Sequence, residues 1–149
     1  MKRTNLEAAR CPVARSLAVI GDWWSLLIIR DALDGVSRFS EFQKSLGISK
    51  CTLAARLKTL VSLGILDLAP VDTDSAYERY HLTDKGRDLF MVVLSLRQWG
   101  EDHCFRRGET HSVLIENRSG RRVRKLKLVT QSGRTLEPSA VSVRKAASR

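Results

Sequence analysis

The feature that most constrains this chain is a tight glycine turn between two amphipathic helical segments. Phe39, Phe42 and Leu46 mark one face of a short helix, Gly47-Ile48 interrupts it, and Ser49 is placed to cap the next. Along that second helix Leu53, Leu57, Leu60 and Val61 recur at helical spacing until Gly64. Two helices joined by so short a turn must cross and bury both apolar faces, the pattern of a helix-turn-helix.

Two further helical segments lie upstream. Pro12 suits a first helical position, Val13, Leu17 and Ile20 follow at i, i+4 and i+7, and Gly21 ends the segment. Asp22 can cap a further helix, Trp23 to Leu33, which closes at Gly35. Its stretch Trp24-Ser25-Leu26-Leu27-Ile28-Ile29 is apolar nearly all round, so it is expected to be central and buried.

Downstream, Ile65 to Val71 and Tyr77 to Leu82 read as strands around the turn cluster Asp72-Thr73-Asp74-Ser75. A hairpin directly after a helix-turn-helix is a wing. Thr83-Asp84 then starts one long helix with Leu89, Val92, Val93, Leu96 and Trp99 on one side. That stripe is too apolar for a solvated terminal helix, and a partner subunit is its natural cover, which predicts a homodimer.

After Arg107-Gly108 the character changes. Val113-Leu114-Ile115 and Val123 to Val129 read as strands, with turns at Asn117-Arg118-Ser119-Gly120 and Gln131-Ser132-Gly133-Arg134, and the tail frays from about Val143. The fold class is therefore mainly α (α+β). A winged helix-turn-helix with a dimerising terminal helix occupies 1–107, and a small, basic β-rich C-terminal extension occupies 108–149.

Charge sharpens that division. The net charge is +10, but residues 1–105 hold 14 Lys/Arg against 13 Asp/Glu, whereas residues 106–149 hold 12 against 3. A basic balance suggests a polyanionic partner. For the tail two readings stand side by side: a solvated segment that aids solubility, or one that touches nucleic acid. No apolar stretch has the length of a membrane span, and no apolar signal region follows the basic start, so the chain is read as cytoplasmic with no membrane partner. Its three cysteines, Cys11, Cys51 and Cys104, have no metal-ligand spacing, so neither a disulfide framework nor a zinc site is expected, and no cofactor.

Two other function classes find less support in the sequence. Glu101-Asp102-His103-Cys104, with His111 nearby, superficially offers an enzyme's nucleophile, base and acid. Consecutive helical residues splay about 100° apart, so these four cannot converge on one site. An RNA-binding module built on the tail would want stacking aromatics, and Phe, Tyr and Trp are absent after Phe105.

The assembled residues resemble the HxlR-type transcriptional regulators, winged-helix proteins akin to the MarR group. Cys11-Pro12-Val13 with Leu17 and Ile20-Gly21 looks like that family's opening, and Trp24-Ser25-Leu26-Leu27-Ile28 like its tryptophan-led central helix. Gly35 with Arg38-Phe39-Ser40-Glu41-Phe42 looks like its Gly-x-x-Arg-Phe-x-Glu-Leu segment. Gly47-Ile48-Ser49, Leu53, Arg56-Leu57-Lys58, Leu60 and Gly64-Ile65 follow its recognition-helix pattern, and Tyr80-His81-Leu82-Thr83-Asp84-Lys85-Gly86 resembles its Glu-Tyr-x-Leu-Thr-x-x-Gly ending. Asp72 and Asp74 stand where relatives often carry proline and basic residues, and Arg79 where the family usually has glutamate. Longer members carry cysteine knuckles in a β-rich tail; here the corresponding turns read Ser119-Gly120 and Gln131-Ser132-Gly133.

The resemblance implies a repressor that binds duplex DNA as a homodimer. The recognition helix, with its leucine face buried, is expected to turn Lys50, Cys51, Thr52, Ala55, Arg56 and Thr59 outward into the major groove. Arg56 suits a guanine or a phosphate, Ser49 and the helix N-terminus suit a phosphate, Arg38 is a positioning contact, and Arg79 in the wing completes the set. A two-fold dimer places its recognition helices about 34 Å apart, hence a pseudo-palindromic operator. Control has two expected routes. One is oxidation at Cys11, where a helix N-terminus favours thiolate, or at Cys51. The other is a small effector in a pocket lined by Trp24, Tyr77, Phe90 and Trp99; the bland readings, a packed cysteine and core aromatics, stay open beside both.

Overall fold

Each of the first four helices ends within two residues of a glycine, and most open on a residue suited to a helix start. In the computed structural model, which describes residues 6–71 and 77–144, α1 spans Pro12–Ile20, α2 Trp23–Leu33, α3 Phe39–Leu46 and α4 Lys50–Ser62. Pro12 opens α1, and the Asp22 side chain accepts the Ser25 N–H to cap α2. Gly47 ends α3 in the left-handed region at φ 61°, a conformation that costs a side chain and suits glycine. The strands β1 (Leu66–Pro70) and β2 (Glu78–Leu82) pair antiparallel, with Leu66 opposite Leu82 and Pro70 opposite Glu78. The wing tip at Asp72 and Asp74 lies outside the described residues.

The single long helix expected from Thr83 is two. A short α5 (Asp84–Arg87) gives way at Asp88-Leu89 to α6 (Phe90–His103). The Leu89 N–H reaches back only three residues, to the Gly86 carbonyl, and the regular ladder resumes with Val93 N–H on Leu89. Thr83 anchors the first turn: its hydroxyl donates to the Gly64 carbonyl at 2.6 Å and its N–H to the Ile65 carbonyl at 3.1 Å. Gly86 sits against that same carbonyl, and a Cβ built on it would lie 2.2 Å from the Ile65 oxygen.

The chain divides into two compact units, Met1–Val93 and Leu94–Arg149. The first has a core of Ile20, Ile28, Ile29, Phe42, Ile48, Leu53, Leu57, Leu60, Ile65 and Leu66. The central helix contributes Ser25, Ile28, Ile29 and Asp31 to the buried set, while Trp24, Leu26 and Leu27 are half-buried. Tyr80 stands edge-on to Phe42, with ring centroids 6.2 Å apart, and burial raises its phenol pKa. No single described helix is long and apolar enough to cross a membrane.

The second unit is less regular than the sequence suggests. Of the strands expected at 113–115 and 123–129, the first keeps one bridge, Ile115 to Arg122, and the second only β3 (Leu128–Val129), which pairs with β4 (Thr135–Leu136). A 3-10 turn at Pro138–Ala140 follows. The cause is competition for backbone partners: the Gln98 side chain of α6 takes the Leu126 N–H at 2.8 Å and donates to the Arg124 carbonyl at 3.2 Å. One amide side chain thus replaces a strand neighbour.

Candidate nucleic-acid interface

The second helix of the helix-turn-helix, α4, is laid down with one face sealed. Leu53, Leu57 and Leu60 are fully buried, which leaves Lys50, Cys51, Ala55, Lys58 and Thr59 exposed and Thr52 and Arg56 half-exposed. Ser49 fixes the exposed end: its hydroxyl oxygen accepts the Thr52 N–H at 3.2 Å, and its O–H donates to the Thr52 Oγ1 at 2.8 Å. Thr59 returns its hydroxyl to the Ala55 carbonyl at 3.0 Å. The outward surface is therefore small, polar and basic, presented on a capped helix.

Arg56 is not a free cation. Its Nε lies 3.3 Å from Asp22 Oδ1, the same oxygen that caps α2. The sequence assigns Asp22 a capping role only; its reach to α4 depends on how α2 and α4 cross, which spacing along the chain does not encode.

Arg38 is exposed at the N-cap of α3, and the start of that helix is satisfied by Glu41, whose carboxylate accepts the N–H groups of Arg38 at 3.0 Å and Ser37 at 3.2 Å. Those bonds hold the Glu41 carboxyl below its ordinary range, with Arg38 and Arg79 adding to the effect. Arg79, opposite Ala69 in the wing, is half-buried, and among the described residues its Nε has no hydrogen-bond partner. Ser37 also accepts the Tyr80 N–H at 2.8 Å, tying the wing's return strand to the start of α3.

The thiols are accessible in the single chain. Cys11, Cys51 and Cys104 are exposed free thiols. Cys11 occupies the N-cap of α1 with no side-chain cap bond, and Cys51 lies in the first turn of α4. Of the aromatics, Trp24 packs half-buried on the first unit's core, beside Trp23 at 4.9 Å. Tyr77 is 79% exposed, Phe90 41% and Trp99 61%. Trp99 leans on His103, with centroids 5.2 Å apart. Among the described residues no cluster of three or more His, Cys, Asp or Glu side chains is arranged to hold a metal ion.

Comparison with known proteins agrees with this geometry. An uncharacterized HTH-type transcriptional regulator of Mycobacterium tuberculosis is 44% identical over 91 residues, which cover 61% of this chain and 58% of that protein, so the match spans little more than half of the relative. The crystal structure of PA1607, described as a candidate transcription factor, superposes with a TM-score of 0.90 at 46% identity, over 96% of this chain and 100% of that one. The redox regulator HypR in its reduced form superposes with a TM-score of 0.59 at 32% identity, over 63% of this chain and 94% of HypR. The model of the HxlR-like helix-turn-helix family matches residues 19–107, and the chain belongs to that family.

Proposed function

We propose that the chain regulates transcription, as a repressor, by binding duplex DNA as a homodimer on a pseudo-palindromic operator. The observation that carries this reading is α4 itself: three leucines fully buried on one side, and a basic, Ser49-capped first turn on the other. Such a helix fits the major groove, where base edges are distinguishable. In this reading Lys50, Thr52, Ala55, Arg56 and Thr59 face bases, while Ser49, Arg38 and Arg79 position the backbone. The dimer is supported by the exposed Met91, Val92, Leu96 and Trp99 on α6.

Footprinting on the DNA upstream of the chain's own gene tests it. Two protected half-sites related by a two-fold axis, one helical turn apart, are expected; a preference for single strands would reverse the reading.

Control through thiol oxidation is favoured over a small effector by one observation, the exposure of Cys11 and Cys51 at helix starts. The likeness to HypR, named a redox regulator, supports the same choice. A mild thiol oxidant is expected to weaken operator binding, and Cys11→Ser to abolish that response. Undiminished binding by fully oxidised protein would overturn the redox route and favour a small effector instead.

A further inference from the structure

The C-terminal extension carries most of the charge, and two of its three acids are already engaged. Of its three carboxylates, Glu109 accepts the Arg106 N–H at 2.9 Å and Glu116 accepts the Ser119 hydroxyl. Lys125 is matched by Asp102 of α6 at 2.5 Å, which holds the Asp102 carboxyl below its usual range. Between residues 118 and 134, Arg118, Arg121, Arg122, Arg124, Lys127 and Arg134 remain: all are exposed, and among the described residues none makes an ion pair. Six unopposed cations within 17 residues repel one another and keep a shell of counterions.

A segment whose purpose is solubility needs no fixed backbone, yet this one is held. Gly120 turns at φ 66°, the Glu116 N–H bonds the Arg121 carbonyl at 2.8 Å, and the Val123 N–H bonds the Leu114 carbonyl at 3.0 Å. Helix α6 secures it from the side. Arg97 donates to the Ser112 carbonyl and hydroxyl at 3.2 and 2.9 Å, Gln98 clamps 124–126, and Asp102 takes Lys125. The polar groups of the helix thus fix the backbone and a single lysine and leave the arginines pointing to solvent.

Guanidinium groups carried on a held backbone suit phosphate oxygens, and the lack of Phe, Tyr and Trp after Phe105 removes the stacking platform that unpaired bases require. We propose that the segment Arg118–Lys127 is a second DNA-contacting surface, which grips the phosphate backbone of the duplex without reading its sequence. The proposal rests on the duplex-DNA reading above and adds a surface outside α4. Because the extension is covalently joined to the helix-turn-helix, its contacts raise affinity through effective concentration.

The test compares the full chain with a variant carrying Arg118→Gln, Arg121→Gln, Arg122→Gln and Arg124→Gln, on operator duplex and on unrelated duplex, over a salt series. Each lost phosphate contact lowers the slope of log K against log salt by about 0.9, so a fall of about 3 to 4 is expected for each chain of the dimer, about 7 for the pair. Affinity for the two duplexes should drop by the same factor, at least about tenfold, leaving their ratio unchanged. The corresponding Arg→Lys variant keeps the charge and should retain the slope; loss equal to that of the Gln variant would overturn the backbone-charge reading. Equal slopes and affinities for wild type and Gln variant overturn this proposal alone, and a chain that binds no duplex overturns both readings. A deficit confined to single-stranded RNA assigns the surface to another partner and overturns it as well.

Discussion

Asp22 does two things with one oxygen, and that shapes how Arg56 meets DNA. Oδ1 accepts the Ser25 N–H at 3.0 Å and faces Arg56 Nε at 3.3 Å. Both side chains are partly exposed, 29% and 40%, so the pair is worth under about 1 kcal/mol to stability. Its effect is directional. With Nε turned toward Asp22, the two terminal nitrogens of the guanidinium are left to make a bidentate contact, and the nearby carboxylate discourages loose phosphate binding. Asp22→Asn preserves a good cap and removes the charge. We expect little change in melting temperature, tighter binding to unrelated duplex, and an operator-to-unrelated ratio reduced about tenfold, the scale of one bidentate base contact. An unchanged ratio in competition gel shifts would remove Asp22 from the recognition machinery. Ser49→Ala tests the neighbouring cap: about 1 kcal/mol of stability should be lost in denaturant titration, since the Thr52 N–H loses its acceptor.

At the scale of elements, the helix ends are where sequence and structure agree best, because a cap is a local event. Asp22, Ser49 and Thr83 each accept a backbone N–H three residues on, and Gly47 and Gly64 adopt positive φ at the ends that their positions predict. What the sequence conceals is competition over distance. The strand pattern at 123–127 is a fair reading of alternation, yet Gln98, far upstream, captures that backbone. The stripe from Leu89 to Trp99 is likewise a fair reading of apolar spacing, yet the helix breaks at Asp88-Leu89, where Thr83 and Gly86 are moored to Gly64 and Ile65, and Leu89 and Val93 pack on the chain's own core, so that of the stripe Val92, Leu96 and Trp99 stay exposed. In the candidate interface the exposed residues of α4 follow from the buried leucines, whereas the Asp22–Arg56 pair and the buried Nε of Arg79 are set by packing between elements.

Two consequences belong to this scale. Gly86→Ala drives a methyl into a backbone oxygen that cannot step aside, so a loss of about 1–3 kcal/mol is expected in denaturant unfolding. The second concerns pH. Glu41 has a lowered pKa in the folded chain, so its bonds to Ser37 and Arg38 contribute fully above the ordinary glutamate value of 4.5 and are lost as pH falls through the lowered one. The stability gap between wild type and Glu41→Gln should therefore be widest near neutrality and close on acidification. A gap that stays constant down to pH 3 would place the effect elsewhere.

For the whole molecule, the exposed apolar surface weighs most. On α6 Met91 is 52% exposed, Val92 41%, Leu96 51% and Trp99 61%, and on α1 Val13 is 66% and Leu17 52% exposed. Single exposed hydrophobics are ordinary, but a run of them along one helix marks an interaction surface. A second copy of the chain is the occupant that also serves DNA binding, since a two-fold pair offers two recognition helices to two half-sites. Leu96→Glu places a charge in the middle of that run and removes no described hydrogen bond. Sedimentation at micromolar concentration should then report a dimer for wild type and a monomer for the variant. The melting temperature of the wild type alone should rise with protein concentration, because association stabilises the folded chain by mass action. Operator affinity should fall by more than about tenfold, since the second half-site no longer binds as part of the same molecule, while affinity for an isolated half-site stays close to wild type. A Leu96→Glu protein that sediments as a dimer would move the interface off α6, and α1, with Val13 and Leu17, would be the surface to test in its place.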